Sequence, residues 1–235
     1  MLVVVLALGM GTGCQTPTVM PGPEGQTRPA DDAAPAWPDA WPDEWPEGRL
    51  FEVDPAASEV RIIVYPDGPL ARFGHPHVIG GPVVRGQVMM TEPFEQSALR
   101  LVIDVRAIEL DRAEWRADEG FDPEMSASDI RNTRDNMLSE SQLDAKRHPE
   151  IRIESLGMSG PAWQPDIDVR VEVAGRQREL TVPVSLAMNA DGLVASGRFS
   201  FNQSDFGITP FSAAGGNLRV ADAVLVRFRI VATQP

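Results

Sequence analysis

From residue 49 onward the chain repeatedly places an apolar side chain at every second position. Leu99, Leu101, Ile103 and Val105 alternate with Arg100, Asp104 and Arg106, and Ile167, Val169, Val171 and Val173 alternate with Asp168, Arg170 and Glu172. After the short turn Ala174-Gly175-Arg176 the pattern resumes with Leu180, Val182, Val184, Leu186 and Met188. Near the C-terminus Val224, Val226, Phe228 and Ile230 alternate with Arg227 and Arg229. Weaker runs cover 58–65, 82–90, 151–158 and 193–202. Successive side chains of a strand point to opposite faces, so such runs predict antiparallel sheet with one face buried and one in water. Many of them, joined by short glycine turns, predict an all-β sandwich or barrel.

One stretch departs from this period. Between 126 and 146, Ile130, Thr133, Met137, Leu138 and Leu143 recur at helical spacing, with Ser126 or Ser128 as N-cap. His148-Pro149 then stops the helix before the next strand. The expectation is a β-barrel carrying one short α-helical insertion.

The N-terminus has a different character. Met1 to Met10 is an apolar run too short to span a bilayer but suited to a signal peptide, followed by Gly11, Thr12, Gly13 and Cys14. Small residues before a cysteine resemble a bacterial lipobox, which makes Cys14 the expected lipidation site. The lipobox leucine is replaced by Gly11, and no Lys or Arg precedes the apolar run. Residues 15–48 hold eight prolines and seven acids beside a single basic residue, Arg28. Such a segment buries too little apolar surface to offset its ordering entropy and is expected to be a disordered stalk. Within it Trp37, Trp41 and Trp45 are each followed by proline, a pattern that reads either as a spacer or as an aromatic clasp for the barrel or a bilayer. The expected organisation is therefore a leader over 1–14, a stalk over 15–48 and a barrel domain over 49–235.

Composition narrows function. The formal net charge is −13 and no Lys/Arg cluster occurs, which argues against a nucleic-acid partner and against electrostatic attachment to anionic lipid. Cys14 is the only cysteine, so no intrachain disulfide forms. No P-loop, Rossmann fingerprint or Gly-x-Ser-x-Gly elbow is present. The sequence calls for no cofactor and names no catalytic residue; the expected class is a binding protein, not an enzyme.

Four blocks, in order, resemble the YceI-like family. They are Asp54-Pro55-Ala56-Ala57-Ser58-Glu59-Val60; the segment Leu143 to Ser155 around Pro149; Ala174 to Val184 with its Thr181-Val182-Pro183-Val184 strand; and Ser204-Asp205-Phe206-Gly207 followed by Gly215-Gly216-Asn217-Leu218. The resemblance implies an antiparallel eight-stranded lipocalin-like barrel whose bore takes a polyisoprenoid or similar apolar lipid, in the periplasm or cell envelope. The inward faces of the strands supply the expected lining: Leu101, Ile103, Val169, Val171, Val184, Leu186, Phe199, Phe201, Val226 and Phe228. An isoprenoid- or quinone-like partner is expected, with membrane attachment through the N-terminal lipid.

Gly74-His75-Pro76-His77 reads as a Gly-His-x-His variant of the family pattern. On an extended strand His75 and His77 point the same way. They read as structural polar residues at the barrel mouth, as head-group contacts, or as part of a metal site with His148 as a third ligand. A metal-dependent hydrolase using His75 and His77, and an envelope stress or interaction protein without a small ligand, are the competing functions.

Overall fold

The computed structural model describes residues 28–29 and 45–235. The apolar leader, Cys14, and most of the proline-rich segment with Trp37 and Trp41 lie outside the described residues. In chain order the strands are β1 (Arg28–Pro29), β2 (Arg49–Val53), β3 (Glu59–Val64), β4 (Pro66–Asp67), β5 (His77–Gly81), β6 (Val84–Met90), β7 (Ala98–Asp104) and β8 (Glu109–Leu110). They continue as β9 (Glu150–Ser159), β10 (Asp166–Val173), β11 (Arg176–Pro183), β12 (Ser185–Met188), β13 (Gly192–Asn202), β14 (Ser212–Ala213), β15 (Leu218–Val220) and β16 (Ala223–Thr233). Two short helices, α1 (Ala113–Asp118) and α2 (Ala127–Leu138), lie between β8 and β9.

Thirteen strands form one antiparallel sheet in the order β1-β11-β10-β9-β7-β6-β2-β16-β3-β5-β8, with β13 on the other edge of β16 and β12 paired to β13. A second sheet, β14-β15-β4, has three strands. The period-two pattern explains the main sheet: in β10, Ile167, Val169, Val171 and Val173 are buried while the residues between them are half-buried or exposed.

The expected closed, eight-stranded barrel is not what forms. The count is higher because long edges are shared: β16 faces β2 at its C-terminal end and β3 along its middle. The link between those two strands is an Asx turn in which Asp54 Oδ1 accepts the N–H groups of Ala56 and Ala57. Closure fails at one place. No ladder joins β11 to β13 among the described residues. Pro183 ends β11, the Val184 N–H bonds instead to the Pro165 carbonyl at 2.9 Å, and the chain continues as β12 against β13. The seam is crossed by the covalent chain. Gly197 permits that crossing, since a Cβ there would stand 2.6 Å from the Pro183 carbonyl oxygen and 2.8 Å from the Phe228 ring.

The expected strand over 180–188 is thus two strands, and Met188 is exposed. The helix is also shorter than expected. It is capped by Ser126, whose Oγ accepts the Asp129 N–H at 3.0 Å, and it ends at Leu138. The chain then turns through Asp144 at φ 45 before β9, which places Leu143 off the helix. Helix α1 has no counterpart in the sequence pattern. It buries Trp115 and Arg116, and the following Glu119 reaches Arg227 at 3.0 Å and Arg61 at 3.8 Å on the outer face of β16 and β3.

Candidate functional site

The inward faces of the strands do not meet in a solid core. They enclose a cavity of about 150 Å³ whose accessible lining is apolar throughout. Nine of the ten residues expected to line a bore lie on it: Leu101, Ile103, Val169, Val171, Val184, Leu186, Phe199, Val226 and Phe228. Met90, Phe94, Leu99, Ile153, Met158 and Leu193 also contribute. Phe94 follows the cis Glu92-Pro93 peptide in a 3-10 turn outside any strand, so alternation gave no sign of it.

A second cavity of about 280 Å³ has a different character. It is reached by moving two residues along the same strands: Val60 to Ile62, Ile153 to Ile151, Val171 to Val173, Phe199 to Phe201 and Val226 to Val224. Since i and i+2 share a face, the two cavities are successive stretches of one inner surface. Phe201, expected with the apolar lining, belongs to the second. Its ring stacks on Phe199 at 6.3 Å and meets Phe206 edge-on at 5.3 Å, while Phe199 meets Phe228 edge-on at 6.4 Å. These four rings form one aromatic cluster, with Phe199 and Phe228 lining the first cavity and Phe201 the second.

The walls of the second cavity carry polar groups. Tyr65, His75, His77, Gln142, Gln203 and Arg219 line this chamber, with the small β14-β15-β4 sheet as its lip. His75 and His77 both line it, with His75 in the link before β5 rather than on the strand itself. His148 does not: its imidazole packs over the β10–β11 turn, 2.5 Å from where a Cβ on Gly175 would stand. Among the described residues no group of three His, Cys, Asp or Glu side chains is placed to hold a metal ion.

The orientation of His77 comes from a partner that the sequence did not reveal. Asp111, with a fully buried carboxylate, lies 2.7 Å from His77 Nδ1. Its other oxygen accepts the Val78 N–H at 2.9 Å and Arg116 Nη1 at 2.9 Å. Arg116 is itself 1% exposed and donates to the carbonyls of Pro76 and Asp122. Burial pushes the Asp111 carboxyl upward, but the hydrogen bonds from His77, Val78 and Arg116 together outweigh it and hold the group below the ordinary carboxylate range. The carboxylate therefore accepts an N–H from Nδ1, and Nε2 is the ring nitrogen left to meet a ligand. Asp111 sits at φ 52, a left-handed conformation that Asp tolerates better than most residues. At the lip, Arg219 pairs with Asp67 at 2.7 Å and lowers the Asp67 carboxyl. Burial, reinforced by Glu119, raises the Tyr65 hydroxyl.

A family model described as the YceI-like domain matches residues 51–232. The crystal structure of Burkholderia cenocepacia BcnA is similar in fold, with a TM-score of 0.58 and 20% identity, covering 77% of this chain and 99% of that one. The Campylobacter jejuni YCEI protein aligns with a TM-score of 0.44 and 11% identity, covering 65% of this chain and 81% of that one. No curated protein sequence matches the chain.

Proposed function

This chain belongs to the YceI-like family, and from that premise we propose that it is a non-catalytic carrier or buffer of an isoprenoid- or quinone-like lipid in the bacterial cell envelope. Family membership supports a protein that binds apolar ligands; the choice of lipid rests on the site. The observation that carries it is the wholly apolar cavity and, two residues further along the same strands, a chamber lined by polar groups. An empty apolar void costs about 24 cal/mol per Å³, so about 150 Å³ left vacant costs on the order of 3–4 kcal/mol. A hydrocarbon chain recovers that cost and adds roughly 0.8 kcal/mol for each methylene withdrawn from water.

The polar chamber favours an uncharged head group. Arg219 is paired with Asp67, and the Asp111 carboxylate behind His77 is paired with Arg116. A hydroxyl, phenol or quinone oxygen would find His77, Tyr65 and the two glutamines in reach without carrying an unpaired charge into the protein. Tethering through a diacylated Cys14 completes the reading: the apolar leader would direct export, and the lipid would keep the carrier beside its source of ligand. Labelling with a radioactive fatty acid, lost in Cys14→Ser, tests that attachment.

The experiment for the ligand class is calorimetric titration with farnesol, farnesyl phosphate and a short water-soluble alcohol of the same head group. The reading expects farnesol to bind, the short alcohol not to, and the phosphate to bind more weakly. Equal binding of the two alcohols would remove the role given to the cavity.

A further inference from the structure

The polar chamber holds one hydrogen-bonding group whose direction the protein fixes from behind. His77 opens β5, and Asp111 follows β8, the short strand paired with it, where Ile79 faces Leu110 and Gly80 faces Glu109. That ladder ends in a clamp. The Asp111 N–H donates to the Val78 carbonyl at 2.7 Å, and Asp111 Oδ1 accepts the Val78 N–H at 2.9 Å. Arg116 on α1 donates through Nη1 to Asp111 Oδ1 at 2.9 Å and to the carbonyl of Pro76, the residue before His77, at 2.7 Å. The second carboxylate oxygen is left for the imidazole, with Oδ2 2.7 Å from Nδ1. The Asp111 and Arg116 side chains are 0% and 1% exposed, so water does not compete for these contacts.

The hydrogens in this cluster can be counted. An ionised carboxylate only accepts, so the hydrogen between Asp111 and His77 belongs to Nδ1. Asp111 and Arg116 already balance each other in charge, and a neutral imidazole keeps the buried cluster uncharged. In a neutral imidazole with its hydrogen on Nδ1, Nε2 is a bare acceptor. The glutamines of the chamber spend N–H groups on backbone carbonyls: Gln142 Nε2 donates to Ser141 and Thr209, and Gln203 Nε2 to Ala221. The Tyr65 hydroxyl can give or take a hydrogen and discriminates little.

We propose that Asp111 makes His77 a hydrogen-bond acceptor and thereby sets the head-group preference of the chamber. A prenyl ligand that donates (an alcohol, phenol or hydroquinone) is favoured over the aldehyde or quinone of the same chain. This preference rests on the carrier reading above and names the chemistry of its head group. A carbonyl oxygen brought to Nε2 sets two acceptors against each other and leaves both without a hydrogen. Asp111 is a positioning residue, acting on the ligand only through His77.

The variant Asp111→Asn separates this role from a structural one. Asparagine keeps an oxygen for Val78 and Arg116 and puts an amide N–H where Oδ2 stood. That N–H donates to Nδ1 and moves the imidazole hydrogen to Nε2. Farnesol and farnesal are titrated at pH 8, above the ordinary imidazole value of about 6.5, with near-UV dichroism confirming the fold. The parent is expected to favour farnesol about tenfold, the scale of one hydrogen bond made against one acceptor left unpaired. Folded Asp111→Asn is expected to lose that preference or reverse it. Nitrogen NMR of the parent reads the tautomer without any variant having to bind; the chain has three histidines, and His77→Asn assigns the signal. The expected spectrum has the hydrogen on Nδ1 and a bare Nε2. Equal affinity of the parent for both compounds would overturn the selection and leave the carrier reading standing, whereas a parent that binds neither removes both. A hydrogen on Nε2 in the parent, or a folded Asp111→Asn that keeps the tenfold ratio, would overturn the role given to Asp111.

Discussion

Replacing Ala195 by tryptophan places an indole inside the apolar cavity from β13, where the parent side chain is only a methyl group. At roughly 10–15 Å³ per enclosed water-sized group, the cavity of about 150 Å³ accommodates on the order of ten methylene-sized groups. An indole takes most of that space. If it displaces half of the ligand carbons held there, the loss is about five methylenes at roughly 0.8 kcal/mol each, or about 4 kcal/mol. That converts to a loss of about a thousandfold in affinity. Filling the void costs the folded state about 1–3 kcal/mol in strain, partly offset by removal of the cavity. The assay is farnesol titration by calorimetry on Ala195→Trp beside the parent, with urea unfolding to confirm a folded variant. A folded Ala195→Trp that binds within a few-fold of the parent would refute the assignment of the tail to this cavity.

Other consequences follow from the same geometry. Asp111→Ala leaves Arg116 buried without its carboxylate, and such a loss costs about 3–5 kcal/mol, measurable as a lower urea midpoint with unchanged slope. The Asp111 carboxyl is depressed in the folded state, so the unfolded chain takes up that proton first as pH falls. Its stabilisation is therefore complete above the ordinary carboxylate value of 3.8 and is lost as pH drops through the folded value, and acid unfolding of Asp111→Asn should be correspondingly shallower. Gly197→Val forces a side chain against the Pro183 carbonyl and the Phe228 ring and should cost about 1–3 kcal/mol, read as a lower melting temperature. A parent-like melting temperature would show that the seam yields more easily than these distances imply.

Much of the main antiparallel sheet was legible because alternation is a local property. β7, β10 and β16 announce their buried faces residue by residue, and two-residue steps along them trace the cavity wall. The break after Pro183 was less legible, since Val184, Leu186 and Met188 keep the alternation going after the chain has changed partner. The missing proline N–H was the available sign. Helix α1 escaped notice because six residues with two buried side chains give no periodic signal. The pairing of His77 with Asp111 spans 34 residues and depends on β5 lying beside β8, a long-range contact that no local spacing encodes. His75 and His77 both line the polar chamber, yet His75 precedes β5 and so escapes the strand period, and the remoteness of His148 required the fold.

Native mass spectrometry of the protein purified from its native cells, with organic extraction of what dissociates, measures most directly whether the cavity holds a lipid. The account predicts a stoichiometric neutral lipid with a prenyl tail, released intact and absent from Ala195→Trp. Protein recovered empty, or carrying the same lipid when the cavity is filled by tryptophan, would contradict it.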